Sequence, residues 1–340
     1  MRGHTLAAQQ SPIPQPGATT PGPASLVVLS PTSGEALLVD PVGGDVLARL
    51  PTGPDPRHFA LSADGRFAYV TSYGWEPSPR AAAARGQSAE AGESTPHDRR
   101  GVTVIDLRAQ RVHSVFQPRD YRQLGAVDAG EGGQLLWVAS EAENGVVELD
   151  AHTGEVRMLW KTGGKGSVDI AVSDDENLIF TANAETDNVT VIDRMTIVSA
   201  RVATGSRPGG LAVAPSGREV WVVNSGENTI SVVADFRSPR EVRKFPSGGL
   251  EPVRIAFHDT RREAWVSHRE SRTIAVLAMG SGERIAEIVL PAEPHDIIFS
   301  DDETRAYVPS SAGQVYMIDV ESRLLEDAHA VDSIDRSAYR

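Results

Sequence analysis

The 340-residue chain contains no cysteine, so neither a disulfide framework nor a thiolate metal site is available to it. It has no apolar run of about eighteen residues, so no segment reads as a bilayer-spanning helix. Basic charge is short as well. The 33 Lys and Arg residues stand against 46 Asp and Glu, a formal net charge of -13. That balance disfavours nucleic acid and anionic membrane as partners, because both are met by a broad positive surface. Local basic spots such as Arg261-Arg262 read as solvated turns. A 3.6-residue apolar periodicity is missing throughout, which argues against an α-helical fold.

What remains is a composition of 40% apolar and 23% charged residues, enough to bury a sizeable core. Residues 1–25 are set apart by their Pro, Thr and Ser content and are expected to stay unfolded. The stretch "TLAAQQ" resembles the tail of a signal peptide, and the following segment resembles an envelope-protein linker. A periplasmic or extracellular location is therefore expected, with the cytoplasm as the alternative. Residues 26–340 are expected to form one domain.

Internal repetition organises that domain. The phrase "DENLIFTANAETDNVTVIDRMT" returns as "REVWVVNSGENTISVV", "REAWVSHRESRTIAVL" and "TRAYVPSSAGQVYMID". The turn residues Gly130, Ser173, Ala214, His258 and Ser300 are separated by 43, 41, 44 and 42 positions. Ser62 joins the series once an insertion of about 26 residues is removed, and this period is that of a four-stranded propeller blade. Each unit holds a short first strand, a tight Asp/Gly/Ser turn such as Ala63-Asp64-Gly65, and a second strand carrying an aromatic residue. Those aromatics are Tyr69, Trp137, Phe180, Trp221, Trp265 and Tyr307. A third apolar strand and a more exposed fourth complete the unit.

Frequent turns between short β-rich runs predict an all-β fold, and radial repetition of four-stranded sheets hides most strand edges. Full units start near Pro56, Leu124, Ser167, Pro208, Pro252 and Pro294. Ahead of them, residues 26–53 read as strands two to four of a unit without its first. The segment "SIDRSAYR" stands where that innermost strand is needed. The expectation is a seven-bladed β-propeller closed by N- and C-terminal strands, with six blades plus a cap as the alternative.

The repeated residues resemble the YVTN-repeat β-propeller family. They are Ala214-Pro215-Ser216-Gly217-Arg218, Trp221-Val222-Val223-Asn224, Val191-Ile192-Asp193 and Asp150-Ala151-His152-Thr153-Gly154. The resemblance covers residues 26 to 320 and implies a propeller of the bacterial cell-envelope type. A fainter similarity, to lactonase-type seven-bladed propellers, lies in Pro56, Arg57 and His58 ahead of "FAYV". It implies hydrolysis, although the other lactonase phrases are missing.

Propeller geometry places the start of strand one and the end of strand two on one face. Polar residues in those columns are Arg57, His58, Glu141, Asp169, Asn183, Asn224, Arg254, His268, Arg269, His295 and Asp296, the expected ligand-binding set. Glycine takes the same columns in other units. Among the set, His58 and His268 are the candidates for a general base, since imidazole titrates near neutral pH. With His295 they are also the candidate ligands of a divalent metal cofactor. Arg57, Arg254 and Arg269 suit a carboxylate or phosphate, or an ion pair within the fold. Asn183 and Asn224 are expected to fix the turn after strand two.

Residues 74–100 form an insertion emerging at this mouth, too polar to build a core and suited to a lid, a partner contact or plain disorder. No phosphate loop, G-x-S-x-G elbow, EF-hand or dinucleotide fingerprint occurs. The sequence thus predicts a monomeric binding or scaffolding propeller whose channel mouth holds a small molecule or a protein partner. An enzyme at the same mouth, lactonase-like or metal-assisted, is the alternative.

Overall fold

In the computed structural model, residues 25–330 are described except 32, 42, 74–100, 119 and 301. The expected tail, insertion and C-terminal closing strand lie outside the described residues. All described regular structure is β, in seven antiparallel sheets. Six have four strands; the first has three (Leu26–Ser30, Glu35–Val39 and Val46–Pro51), as the sequence predicts for a unit without its inner strand. We number the sheets as blades 1 to 7 in chain order. The expected unit starts coincide with the inner strands Pro56–Leu61, Leu124–Ala129, Ser167–Val172, Pro208–Val213 and Pro252–His258. In blade 7 the inner strand shrinks to Ile298–Phe299, preceded by a lone bridge between Pro294 and Ser310.

The first three strands of a blade are covered on both faces by neighbouring blades, so they need continuous apolar sequence. Gly101–Asp106 and Leu135–Ser140 are buried along their whole length. The outermost strands face water on one side and alternate, as Arg240–Pro246 does. Trp137, Trp221 and Trp265 are among the largest fully buried side chains. Trp221 and Trp265 donate their indole N–H to Glu219 and Glu263, and Arg243 and Arg323 pair with those carboxylates. In blades 5 and 6 the aromatic is therefore apolar bulk with its one polar handle satisfied.

Each of seven apolar clusters joins two successive blades, which closes the ring. Blade 1 contributes Val27, Ala36 and Leu38 to a cluster with Phe59 and Val70 of blade 2. Its other face, with Leu26, Leu37 and Val39, packs on Ile298, Tyr307 and Val315 of blade 7. In three blades the turn before the fourth strand adds a second tie. Gly154 and Gly282 hold positive φ and lie so near Phe116 and Phe245 of the preceding blade that an added Cβ would sit 2.3 and 2.8 Å away. Gly44 of blade 1 repeats this against His329 of blade 7, at 2.3 Å. By both tests the last blade precedes the first in the ring. The structure is a seven-bladed β-propeller.

Candidate functional site

A shared irregularity in the inner strands prepares the site. In blade 2, Pro56 lies opposite Ser72 and His58 opposite Thr71, leaving Arg57 unmatched. The same bulge separates Ser167 from Asp169 and Pro252 from Arg254. Blades 3 and 5 have a wider one, between Leu124 and Val127 and between Pro208 and Leu211. A bulge bends a strand and re-aims side chains. Here it acts at the end where strand one begins and strand two finishes, as the antiparallel geometry requires.

The third residue of these inner segments is His58 in blade 2, Ala126 in blade 3, Asp169 in blade 4, Gly210 in blade 5, Arg254 in blade 6 and Asp296 in blade 7. Three of them meet. Arg254 Nη1 lies 3.7 Å from Asp169 Oδ2. Arg254 Nη2 lies 3.2 Å from His58 Nδ1 and 3.1 Å from Nε2, so the guanidinium nitrogen sits over the imidazole rather than in one lone pair. Residues 196 positions apart are thus in contact across the ring. Gly210 makes this reach available, because a Cβ there would fall 3.0 Å from Arg254 Cα and 3.2 Å from its Cδ. Asp169 Oδ2 also accepts the backbone N–H of Leu211 at 2.9 Å.

The surroundings shift the histidines and the carboxyl groups of the cluster. Burial, then the positive charges of Arg254 and Arg57, holds the His58 imidazole well below its ordinary value. Burial pushes the Asp169 carboxyl up against the opposing pull of Arg254. Asp296 is raised to about 8, again by burial, with Arg254 opposing and Asp169 adding to the rise. His295 is lowered to about 4 by burial and by Arg269 and Arg254. Asp169 and Asp296 are only 1% and 2% exposed. The Arg254 side chain retains 18%, so the cluster opens to solvent on the arginine side. At neutral pH the site holds neutral imidazoles, a protonated Asp296 and one cationic arginine. These groups can donate hydrogen bonds, accept a hydrogen bond at an imidazole nitrogen, and hold one negative charge.

His268 goes elsewhere. It is fully buried inside blade 6, its Nε2 3.0 Å from Ser247 Oγ, and Gly249 packs on the ring. Burial lowers it to about 4. Asn183 and Asn224 do the same work in blades 4 and 5. Asn183 bonds Ser167, Asn188 and Thr190, while Asn224 bonds Thr229 and Ser231. Gly164 and Gly205 cover them as Gly249 covers His268. The expectation that the asparagines fix a turn describes this geometry, and His268 belongs with them rather than with the channel cluster. Among the described residues, no group of three or more His, Asp and Glu side chains could hold a metal ion, so His58, His268 and His295 are not brought together as ligands.

Arg57 and Glu141 form a second group at the same mouth. Arg57 pairs with Asp55 at 2.8 Å and lies over the Tyr73 ring, whose hydroxyl donates to Glu141 Oε2 at 2.7 Å. Burial raises both the Tyr73 phenol and the Glu141 carboxyl. Arg269 pairs with Glu251 at 3.4 Å. The expected set omits Tyr73, although its place directly after the second strand of blade 2 is a signal that reaches it.

No family model matches the chain. Over 216 residues, 62% of its length, it is 24% identical to a Salmonella typhimurium protein described as "Uncharacterized protein YncE", and the Salmonella typhi counterpart is 23% identical. The chain spans about three fifths of the length of these curated relatives. A solved protein of unknown function from Desulfotomaculum acetoxidans superposes with a TM-score of 0.72 at 13% identity, covering 91% of this chain and 96% of that one. Hydrazine synthase of Kuenenia stuttgartiensis gives 0.70 at 15% identity over 91% and 99% of the two chains. The dihydro-heme d1 dehydrogenase NirN, solved in complex with DHE, gives 0.62 at 15% identity over 95% and 68%. These likenesses concern the fold. The chain is a seven-bladed β-propeller similar to YncE-like proteins.

Proposed function

We propose that the protein is a binding propeller whose channel mouth holds a small molecule or a partner's side chain. The observation that carries this reading is the meeting of His58, Asp169 and Arg254 from blades 2, 4 and 6. A partly buried guanidinium whose donors are incompletely satisfied is costly in a framework. Its unused hydrogen-bonding capacity is what a ligand fills. Placement of the protein in the bacterial cell envelope, and its reading as a YVTN-type propeller, are part of the proposal and rest on the repeat residues and the Pro/Thr-rich N-terminal composition.

The test is a thermal-shift screen of a polar fragment library against the protein and Arg254→Met. Compounds that raise the wild-type melting temperature are expected to leave the variant unmoved. A library with no stabilising compound, or one acting equally on both proteins, removes the proposal. A second reading, an enzyme at the same mouth, is supported by the opposed protonation of Asp296 and His58, the arrangement that separates acid from base. In that reading neutral His58 takes a proton and Asp296 gives one, and the lactonase-like phrase at Pro56 to His58 suggests lactones as substrates. Turnover of simple lactones that His58→Ala abolishes would establish it; turnover equal to buffer would remove it.

A further inference from the structure

Two arginines that serve the framework meet a carboxylate at close hydrogen-bond distance. Arg194 places Nε and Nη2 at 3.2 and 3.1 Å from the two oxygens of Glu148 and donates Nη1 to Glu176 O. Arg323 meets Glu263 at 2.8 Å. Arg254 differs. Among the described residues its oxygen contacts are Val253 O at 3.4 Å and Asp169 Oδ2 at 3.7 Å, both too long for strong hydrogen bonds, and it also lies against the face of His58. Beside it, Asp169 Oδ1 is buried with no hydrogen-bond partner among the described residues. A buried polar atom left unmatched calls for an explanation, and an absent ligand atom supplies one.

We propose that this site takes a small monocarboxylate, whose carboxylate sits between the Arg254 guanidinium and the carboxyl groups of Asp169 and Asp296 and shares a proton with them. The inference rests on the binding reading above and names its ligand class. Charge decides the class. Arg57 and Arg269 are occupied by Asp55 and Glu251, which leaves Arg254 as the cation of the cluster. A dianion such as phosphate would set two negative charges against one guanidinium beside two carboxyl groups. A monoanion is balanced by Arg254 when it shares a proton with Asp169 and Asp296, and a protonated carboxyl group then donates to its second oxygen, the short charge-assisted type of hydrogen bond. The groups facing Asp296 agree. Arg254 pulls its proton off, while Asp169 and burial keep it on, and burial prevails. The neighbouring His58 and His295 stay neutral and add no second positive charge.

The experiment is isothermal titration of the full chain with sodium benzoate, sodium lactate and sodium butyrate, alongside inorganic phosphate and benzamide, between pH 6 and 9.5. At least one carboxylate is expected to bind, and Arg254→Met to weaken it about tenfold or more. Above pH 8 the protonated fraction of Asp296 falls about tenfold per pH unit, and affinity should fall with it. Asp296→Asn keeps a donor but cannot titrate, so it should still bind, with an affinity that stays level across that range. Circular dichroism melts, with Arg254→Lys as a second variant, separate lost binding from lost folding.

Arg254-dependent binding of phosphate or benzamide, with no carboxylate bound, would overturn the carboxylate class and leave the binding reading standing. If none of the five probes binds, or a carboxylate binds Arg254→Met as tightly as wild type, this inference fails, and the fragment screen judges the broader reading on its own. An Asp296→Asn variant with the wild-type pH dependence would remove the shared proton.

Discussion

His268 and Arg254 occupy neighbouring strands of blade 6, yet one is framework and the other faces solvent in the channel. The distinction lies in what each side chain meets. His268 is capped by Gly249 and bonded to Ser247, while Arg254 reaches over Gly210's vacant Cβ position toward blade 2. Because asparagine fills the same brace in blades 4 and 5, His268→Asn should keep most of the stability. His268→Ala leaves a cavity and removes the shorter of the Ser247 Oγ hydrogen bonds, and should cost about 2 to 4 kcal/mol. Urea denaturation of both variants measures the difference. An alanine variant as stable as the asparagine one would mean that the brace contributes nothing.

At the scale of the element, the turn before the fourth strand shows how a repeat tolerates exceptions. Asp150 and Asp193 each accept two backbone N–H groups, from His152 and Thr153 and from Met195 and Thr196. Four residues after the aspartate the chain must take positive φ. Gly154 does so freely, but blade 4 has Ile197 there, with φ of 58° and 73% exposure. A β-branched residue is strained in that region by about 1–2 kcal/mol. Ile197→Gly should therefore raise stability by about 1 kcal/mol, visible as a higher melting temperature. An unchanged or lower value would show that Ile197 gains more from its contacts than the backbone loses.

These elements were largely legible in the sequence. A period of 41 to 44 residues located Pro56, Leu124, Ser167, Pro208 and Pro252 at strand starts because a blade cannot change length without losing its neighbours. The site was legible only by column. Asp169, Arg254, His58 and Asp296 could be assigned to one mouth, since strand order alone dictates that. The one-residue bulges were not visible, and they decide which residue of each pair, Arg57 or His58, faces the cluster. Nor could the sequence show that a histidine would replace an asparagine in a buried brace, because both residue types suit a polar strand end.

For the whole molecule, buried titratable groups set opposite limits on stability. His268 and His295 are lowered to about 4 and His58 is also lowered, so the folded chain binds fewer protons than the unfolded chain below pH 6.5. Stability from these groups is present above 6.5 and is lost as pH falls toward 4. Asp296 acts the other way. Its folded value of about 8 lies above the unfolded 3.8, so stability is lost as pH rises toward 8. Calorimetry from pH 4.5 to 8.5 should find the melting temperature greatest near pH 6.5, with the alkaline decline reduced in Asp296→Asn. A maximum at pH 8 or above would contradict these directions.

The packing of blade 1 on blade 7 also has a consequence in time. Leu26, Leu37 and Val39 leave the ribosome well ahead of their partners Ile298, Tyr307 and Val315. At about 5–20 residues per second, that apolar face waits roughly 15 to 60 seconds for its cover. Throughout that interval the nascent chain is an open arc with an adhesive end. A second nascent arc offers the same end with the same complementarity. Crowding on a polysome therefore sets two outcomes in competition, a chain that meets its own beginning and a pair of chains that exchange final blades.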